Sequence, residues 1–156
     1  MIYNTPFTAI SKAVYSSLSA AASVGLEWFD SAVPITEIDD YFKAQAEFSY
    51  GVFGAADADC TPNKDTAVWD SGLQLEIYSN YKGRKVVAEK LEAVLNYLSS
   101  DDGKNAIQAS LNADGFALIS MTVGALRINL PIHGDTGDWQ SGGTNVVFRV
   151  NQLPIS

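Results

Sequence analysis

Residues 69–98, WDSGLQLEIYSNYKGRKVVAEKLEAVLNYL, change their hydrophobic period halfway along the stretch. Leu73, Leu75 and Ile77 alternate with polar residues, which is the pattern of a strand with one buried face. The second half repeats apolar residues at helical spacing, at Val87, Leu91, Val94, Leu95 and Leu98. We therefore predict a strand that leads into an amphipathic helix, with the two apolar faces buried against each other.

The sequence upstream of this unit predicts one helix, two strands and two connections. A polar cap and a proline in the first turn begin a helix over residues 6–21. Strands are predicted over residues 26–29 and 47–54, the second from its period of two. Residues 35–46 are predicted to form a loop. The acidic, turn-rich residues 55–65 are predicted to be the long loop of a hairpin.

The downstream sequence predicts mostly strands. Residues 105–111 suit a helical turn, and residues 116–123 suit a strand after a turn. Residues 125–132, ALRINLPI, alternate, with leucine and isoleucine on one face and polar residues on the other. A glycine-rich loop is predicted over residues 133–143, followed by a last strand over residues 144–152.

Together these elements predict one α+β domain spanning residues 1–156. Its sheet is expected to be mainly antiparallel, with five to six strands and two main helices packed on one face. The proportions of 47% hydrophobic and 18% charged residues are those of a globular chain. We expect neither a transmembrane helix nor a secretory signal. Cys60 is the single cysteine, which excludes an internal disulfide.

The chain is acidic, with a net charge of −8 and a pI near 4.4. Nucleic-acid binding driven by affinity requires cationic side chains that replace counterions, so this class of function is disfavoured. An acidic surface repels DNA, which suits a protein that DNA passes through better than a protein that grips DNA. Solubility alone explains the charge equally well.

Catalytic motifs are absent from the sequence, and two acidic groupings deserve comparison with metal sites. His133, Asp135 and Asp138 form an H-x-D-x-x-D pattern of metal-ligand types, although turns use the same residues for backbone reasons. The aspartates of residues 55–65 lack the glycine and glutamate of an EF-hand loop. Cys60 has no basic partner nearby in sequence. We expect no enzyme activity, no cofactor and no metal.

Aromatic residues are the better candidates for function. Tyr50, Trp69, Tyr78 and Trp139 lie at predicted element ends or on polar positions of strands. Tyrosine and tryptophan are enriched where proteins meet proteins, so these four are predicted to contact a partner. The alternative is that they seal the sheet edges or lie in the core.

Several strings in this order resemble a known family. They are the amphipathic helix over residues 6–18, LQLEIY at 73–78, GRKVVAEKLEAVL at 83–95, DGF at 114–116 and DW at 138–139. The pattern resembles the tail-completion or tail-terminator (head–tail joining) proteins of long-tailed bacteriophages. It covers most of the chain, and it rests on element order and hydrophobic pattern, because the family has no catalytic motif.

The resemblance implies a virion structural protein at the head–tail junction, made in the host cytoplasm. It implies a ring, typically of six subunits, that caps the tail tube, joins it to the neck and leaves a channel for DNA. Its partners are then further copies of itself, the tail tube protein and a neck or head-completion protein, with no membrane and no specific DNA binding. Asp57, Asp59 and Asp65 are candidates for an acidic loop that faces the channel lumen.

Two alternatives remain open at this point. The first is a tail-tube subunit or another neck-ring subunit, because these proteins share small size and ring assembly. The remote second is a small metal-dependent enzyme that uses the loop of His133.

Overall fold

The structure, a computed structural model, describes residues 2–30, 48–62, 65–134 and 137–154. Its helices are α1 (Phe7–Ala20), α2 (Lys85–Ser99) and α3 (Asp101–Ala113). Its strands are β1 (Glu27–Asp30), β2 (Ser49–Pro62), β3 (Ala67–Ser79), β4 (Phe116–Val123), β5 (Arg127–Ile128), β6 (Ile132–Gly134) and β7 (Gly137–Gln152). The fold is α+β, as predicted. Within the described residues, none of the helices is long and apolar enough to cross a membrane.

The strands form a mixed sheet in the order β1-β2-β3-β7-β4. β1 runs parallel to β2, and the other pairs are antiparallel. β7 is paired along both sides: with β3 on one side and with β4, β5 and β6 in succession on the other. β7 is therefore the strand that joins the two halves of the sheet.

β3 shows why the sheet has one buried face. Its inward positions are buried from end to end, whereas its alternate positions are half-buried. The predicted Leu73, Leu75 and Ile77 are among the inward residues. Val146, Phe148 and Val150 occupy the matching positions of β7, and they form one core with the buried residues of the helices. The predicted packing of strand against helix is confirmed.

α2 packs closely on the middle of the sheet because glycine leaves room for it. A Cβ atom added to Gly142 of β7 would lie 2.9 Å from Val87 Cγ1 and 3.0 Å from Leu91 Cδ1. Val94 and Leu98 continue the same buried face, as predicted. A larger residue at Gly142 would push the helix off the sheet.

α3 is a full helix where one helical turn was expected over residues 105–111. The reason is a strong start: Ser100 Oγ accepts a hydrogen bond from the Gly103 N–H at 3.1 Å. The carboxylates of Asp101 and Asp102 in the first turn also interact favourably with the positive end of the helix dipole. The sequence SSDDG at residues 99–103 is thus a capping signal, and α3 adds a third helix to the two predicted.

Two predicted loops are strands in the structure. β2 continues to Pro62 through most of residues 55–65, and a bulge between Phe53 and Ala56 absorbs the irregular part. β6 and the start of β7 form a hairpin within residues 133–143. Glycine, alanine and aspartate are weak strand formers, so long-range pairing decides these segments, not local preference. The described sheet therefore has seven strands rather than five or six.

Two further predictions need comment. The strand expected over residues 125–132 is reduced to the short β5 and the first residue of β6, with Pro131 between them. Proline cannot donate a ladder hydrogen bond, so the strand breaks there. The loop predicted over residues 35–46 lies outside the described residues.

We expect Leu91→Ala to lower the free energy of unfolding by about 2–5 kcal/mol, because it leaves a cavity between α2 and β7. Urea unfolding followed by circular dichroism measures the change. The matched control is Asn96→Ala, an exposed site on the same helix, which should change stability by less than about 0.5 kcal/mol. Equal effects at the two sites would show that the buried face of α2 is wrongly assigned.

Candidate assembly surface

The outer face of the sheet is the face opposite the core, and it carries two distinct regions. The strand register places Tyr50 opposite Tyr78 and Asp59 opposite Asp70, all on this face. One end of the face is aromatic and the other is acidic. We call them the aromatic cluster and the acidic groove.

The aromatic cluster is formed by Phe48, Tyr50, Tyr78 and Trp139, with Phe29 at its side. The ring of Tyr50 stacks on Tyr78 with centroids 5.4 Å apart. Trp139 meets Tyr50 edge-on at 6.0 Å and Phe48 at 5.3 Å. Tyr50 is 1% exposed and Trp139 is 7% exposed. Aromatic pairs of this geometry add to the free energy gained from burial alone.

Hydrogen bonds hold the end of the β2–β3 pair beneath this cluster. The Phe48 N–H donates to Asn80 Oδ1 at 2.7 Å, and the Asn80 N–H donates back to the Phe48 carbonyl at 3.2 Å. The hydroxyls of Ser49 and Ser79 are 3.0 Å apart on the opposite face. These bonds fix the strand register, which in turn brings Tyr50 and Tyr78 face to face.

The four predicted contact residues do not form one surface. Tyr50, Tyr78 and Trp139 meet in the aromatic cluster, whereas Trp69 lies on the core side of the sheet. The Trp69 indole N–H donates to Gln152 Oε1 at 3.5 Å. Three of the four side chains, all except Tyr78, are buried within the subunit. Their contact with a partner stays a prediction.

The acidic groove is a concave region of about 580 Å³ beside the β2 bulge. Asp57, Asp59 and Asp70 line it, together with uncharged residues. Asp57 Oδ1 accepts a hydrogen bond from the Gly72 N–H at 2.8 Å. A Cβ atom at residue 72 would lie 2.7 Å from that oxygen, so a larger residue there would displace the Asp57 carboxylate. This hydrogen bond therefore holds the Asp57 carboxylate against β3 in the wall of the groove.

The prediction that Asp57, Asp59 and Asp65 all lie in a loop is wrong for two of them. Asp57 and Asp59 lie on β2, where the hairpin pairing extends farther than expected, and only Asp65 lies in the connection to β3. All three are exposed. Asp59 directly faces Asp70 across the strand pair, and Arg149 Nε lies 3.7 Å from Asp70 Oδ1. Whether these carboxylates face a channel stays a prediction.

An ion pair that the sequence did not reveal crosses the middle of the outer face. The guanidinium of Arg127 on β5 pairs with the carboxylate of Glu76 on β3, spanning β7. Gln74 Nε2 also donates to Glu76 Oε1 at 2.6 Å. Gly143 lies between the two charges, where a Cβ atom would be 2.7 Å from Glu76 Oε2. The only signal in the sequence was the glycine pair at positions 142 and 143.

The candidate metal and nucleophile positions are not brought together. His133 is exposed on β6, opposite the backbone of Asp138, and Asp135 lies outside the described residues. Among the residues that the structure describes, no group of three or more His, Cys, Asp or Glu is placed to hold a metal ion. Cys60 is half-buried and packs against the core.

Comparison with known proteins gives one informative similarity. No protein-family model matches the chain, and no curated protein matches it. Among solved structures, the chain is similar to a chain of the virion of a native gene transfer agent particle. The TM-score is 0.64 at 16% sequence identity, and the alignment covers 96% of this chain and 99% of the other. At this identity, the similarity shows a shared fold across nearly the whole of both chains.

We expect Asp59→Lys to raise the free energy of unfolding by about 0.2–1 kcal/mol, because it replaces a carboxylate pair with an opposite-charge pair across β2 and β3. Urea unfolding at low and high salt measures the gain and its screening. Asp65→Lys makes the same change of net charge in the connection and serves as control. An equal gain in both variants would mean that net charge, not the facing of Asp59 and Asp70, sets the effect.

Proposed function

We propose that this chain is a structural subunit of a phage-like particle, and specifically a tail terminator. The fold similarity to a chain of a gene transfer agent virion, which runs through nearly the whole of both chains, carries the proposal. The order of elements adds to it, because a helix, a strand, a hairpin and a helix follow one another in α1, β1, β2–β3 and α2, as in the tail-terminator family that the sequence resembles.

In this role, copies of the chain form a ring, typically of six, that stops growth of the tail tube and joins it to the neck. A small subunit closes such a ring through repeated head-to-tail contacts. The partners are other copies of the chain, the tail tube protein and a neck or head-completion protein. The ring leaves a channel through which DNA passes without specific binding.

The acidic groove suits the wall of that channel. Asp57 and Asp59 are exposed on β2, and Asp65 is exposed in the adjoining connection. Carboxylates facing DNA repel its phosphates over roughly a Debye length, about 8–10 Å at physiological salt, which keeps the passing strand from sticking. The net charge of −8 per subunit agrees with this use.

A tail-tube or other neck-ring subunit is the second candidate. The similar chain belongs to a whole virion, so the same similarity supports each of these positions in the particle. The terminator is preferred because of the sequence resemblance.

Gold-labelled antibody on purified particles tests the proposal by electron microscopy. Label confined to the head–tail junction is the expected result. Label along the whole tail would assign a tube subunit instead. No label on any particle would overturn the structural role and leave the His133 loop as the next site to test. Antibody pre-absorbed with the purified protein is the control.

We expect the double variant Asp59→Lys/Asp65→Lys to slow DNA ejection or reduce infectivity while the particle still assembles, because it places cations where DNA passes. Asp57 is left unchanged because it holds Gly72. The matched control is Glu89→Lys/Glu92→Lys, which makes the same charge change on the exposed side of α2. Ejection as fast as in the unmodified particle would argue against a channel-facing groove.

A further inference from the structure

Four apolar residues along one edge of the sheet are exposed to solvent. They are Leu126, Ile128, Leu130 and Ile132, which we call the edge ridge. Leu130 is 78% exposed and Ile132 is 51% exposed. The residues alternate along β5, β6 and their connection, so the exposure follows a strand-like period and is not scattered.

The ridge projects on the helix side of the sheet, because the polar residues between its members face the outer side. Arg127 pairs with Glu76. Asn129 donates its backbone N–H to the Ser141 carbonyl at 2.9 Å and its side-chain Nδ2–H to Ser141 Oγ at 3.1 Å. Successive side chains of an extended chain point to opposite sides, so Leu126, Ile128 and Leu130 point away from these contacts. The ridge therefore lies on the helix side of the sheet, and it is nevertheless exposed there.

An apolar sheet edge of this kind is normally covered. β5 and β6 pair with β7 alone among the strands that the structure describes, so their second edge meets no other described strand. Soluble proteins usually blunt such edges with charge, and clustered exposed apolar residues mark interaction sites. The ridge is therefore best explained as half of an interface.

The opposite edge of the sheet carries a cleft with two aromatic rings, Tyr15 and Phe53, that can receive apolar side chains. The cleft has a volume of about 410 Å³ and is bounded by α1, Phe53 of β2 and the end of β1. Tyr15 is 49% exposed there and meets the ring of Phe53 edge-on at 6.3 Å. We call it the edge cleft. β1 and β5 are separated by β2, β3 and β7, which places the two features about 19 Å apart across the sheet.

Charge also favours contact between these two surfaces. The chain has 18 acidic residues, yet residues 1–26 and 115–134 contain none of them. The first stretch holds α1 with the exposed Tyr15, and the second holds the whole ridge; Asp30, at the end of β1, is the acidic residue that lines the cleft. Copies of a chain with a net charge of −8 repel each other. A contact between the ridge, which has no acidic residue, and the cleft, whose described lining holds one cation and one carboxylate (Lys12 and Asp30), is therefore weakly opposed.

We infer that the edge ridge of one copy of this chain docks in the edge cleft of the next copy. Two different complementary surfaces on opposite edges make a head-to-tail contact, and its repetition by rotation closes a ring. The inference rests on the proposed ring, and it names the surfaces that build it. The acidic groove is left free to face elsewhere.

Complementation between two variants tests the direction of the contact. Leu130→Asp disables the ridge and Tyr15→Asp disables the cleft, and both sites are exposed enough to leave the core intact. Size exclusion with light scattering should give a multi-subunit ring for the unmodified chain and a 16.8 kDa monomer for each variant. An equimolar mixture should give twice that mass, because only one intact ridge and one intact cleft remain.

Val147→Asp, at an exposed apolar site outside both surfaces, is the control and should assemble normally. Circular dichroism checks the fold, and Leu130→Ser replaces Leu130→Asp if that variant unfolds. The inference is overturned if the variants assemble like the unmodified chain, if the mixture stays monomeric, or if the unmodified chain is monomeric up to about 1 mM. Gold label at the head–tail junction together with any of these results would remove the docking contact and keep the proposed function.

Discussion

The pairing of β3 with β7 is the contact on which the rest of this structure depends. The two strands are bonded along their length, from Ala67 opposite Gln152 to Ser79 opposite Gln140. They are the middle strands of the sheet, so they connect the β1–β2 edge to the β4–β6 edge. α2 contacts both of them, and the core is built on their inward residues. The aromatic cluster, the acidic groove and the edge ridge all take their places from this register.

The parts of the fold that could be predicted from the sequence are those whose hydrophobic residues repeat with an uninterrupted period. β3 and α2 were predicted because each buries one face along its whole length, so the periods of two and 3.6 are uninterrupted. The second half of β2 and the start of β7 were missed because their residues have weak strand preference. Those segments are strands because a partner strand lies beside them, and a partner distant in the chain leaves no local pattern.

The candidate surfaces were readable only in part, for the same reason. As tyrosine and tryptophan, Tyr50, Tyr78 and Trp139 were predicted to be contact residues. That the three side chains meet in one cluster depends on the register of β2, β3 and β7. The alternation at residues 125–132 was visible, yet which residues face the outer side of the sheet depends on the pairing of Arg127 with Glu76, 51 positions away. Composition held one usable signal, because the two stretches without acidic residues include α1 and the ridge.

The position of β7 in the chain has a consequence for how the subunit matures. β7 follows every other described strand in sequence, yet it occupies the middle of the sheet. During synthesis, β3 therefore presents an open edge, and the β4–β6 segment has nothing to pair with, until residues 137–152 leave the ribosome and insert between them. Unpaired strand edges invite association between chains. The proposed docking ridge thus takes its place on the sheet only after β7 has paired with β5 and β6.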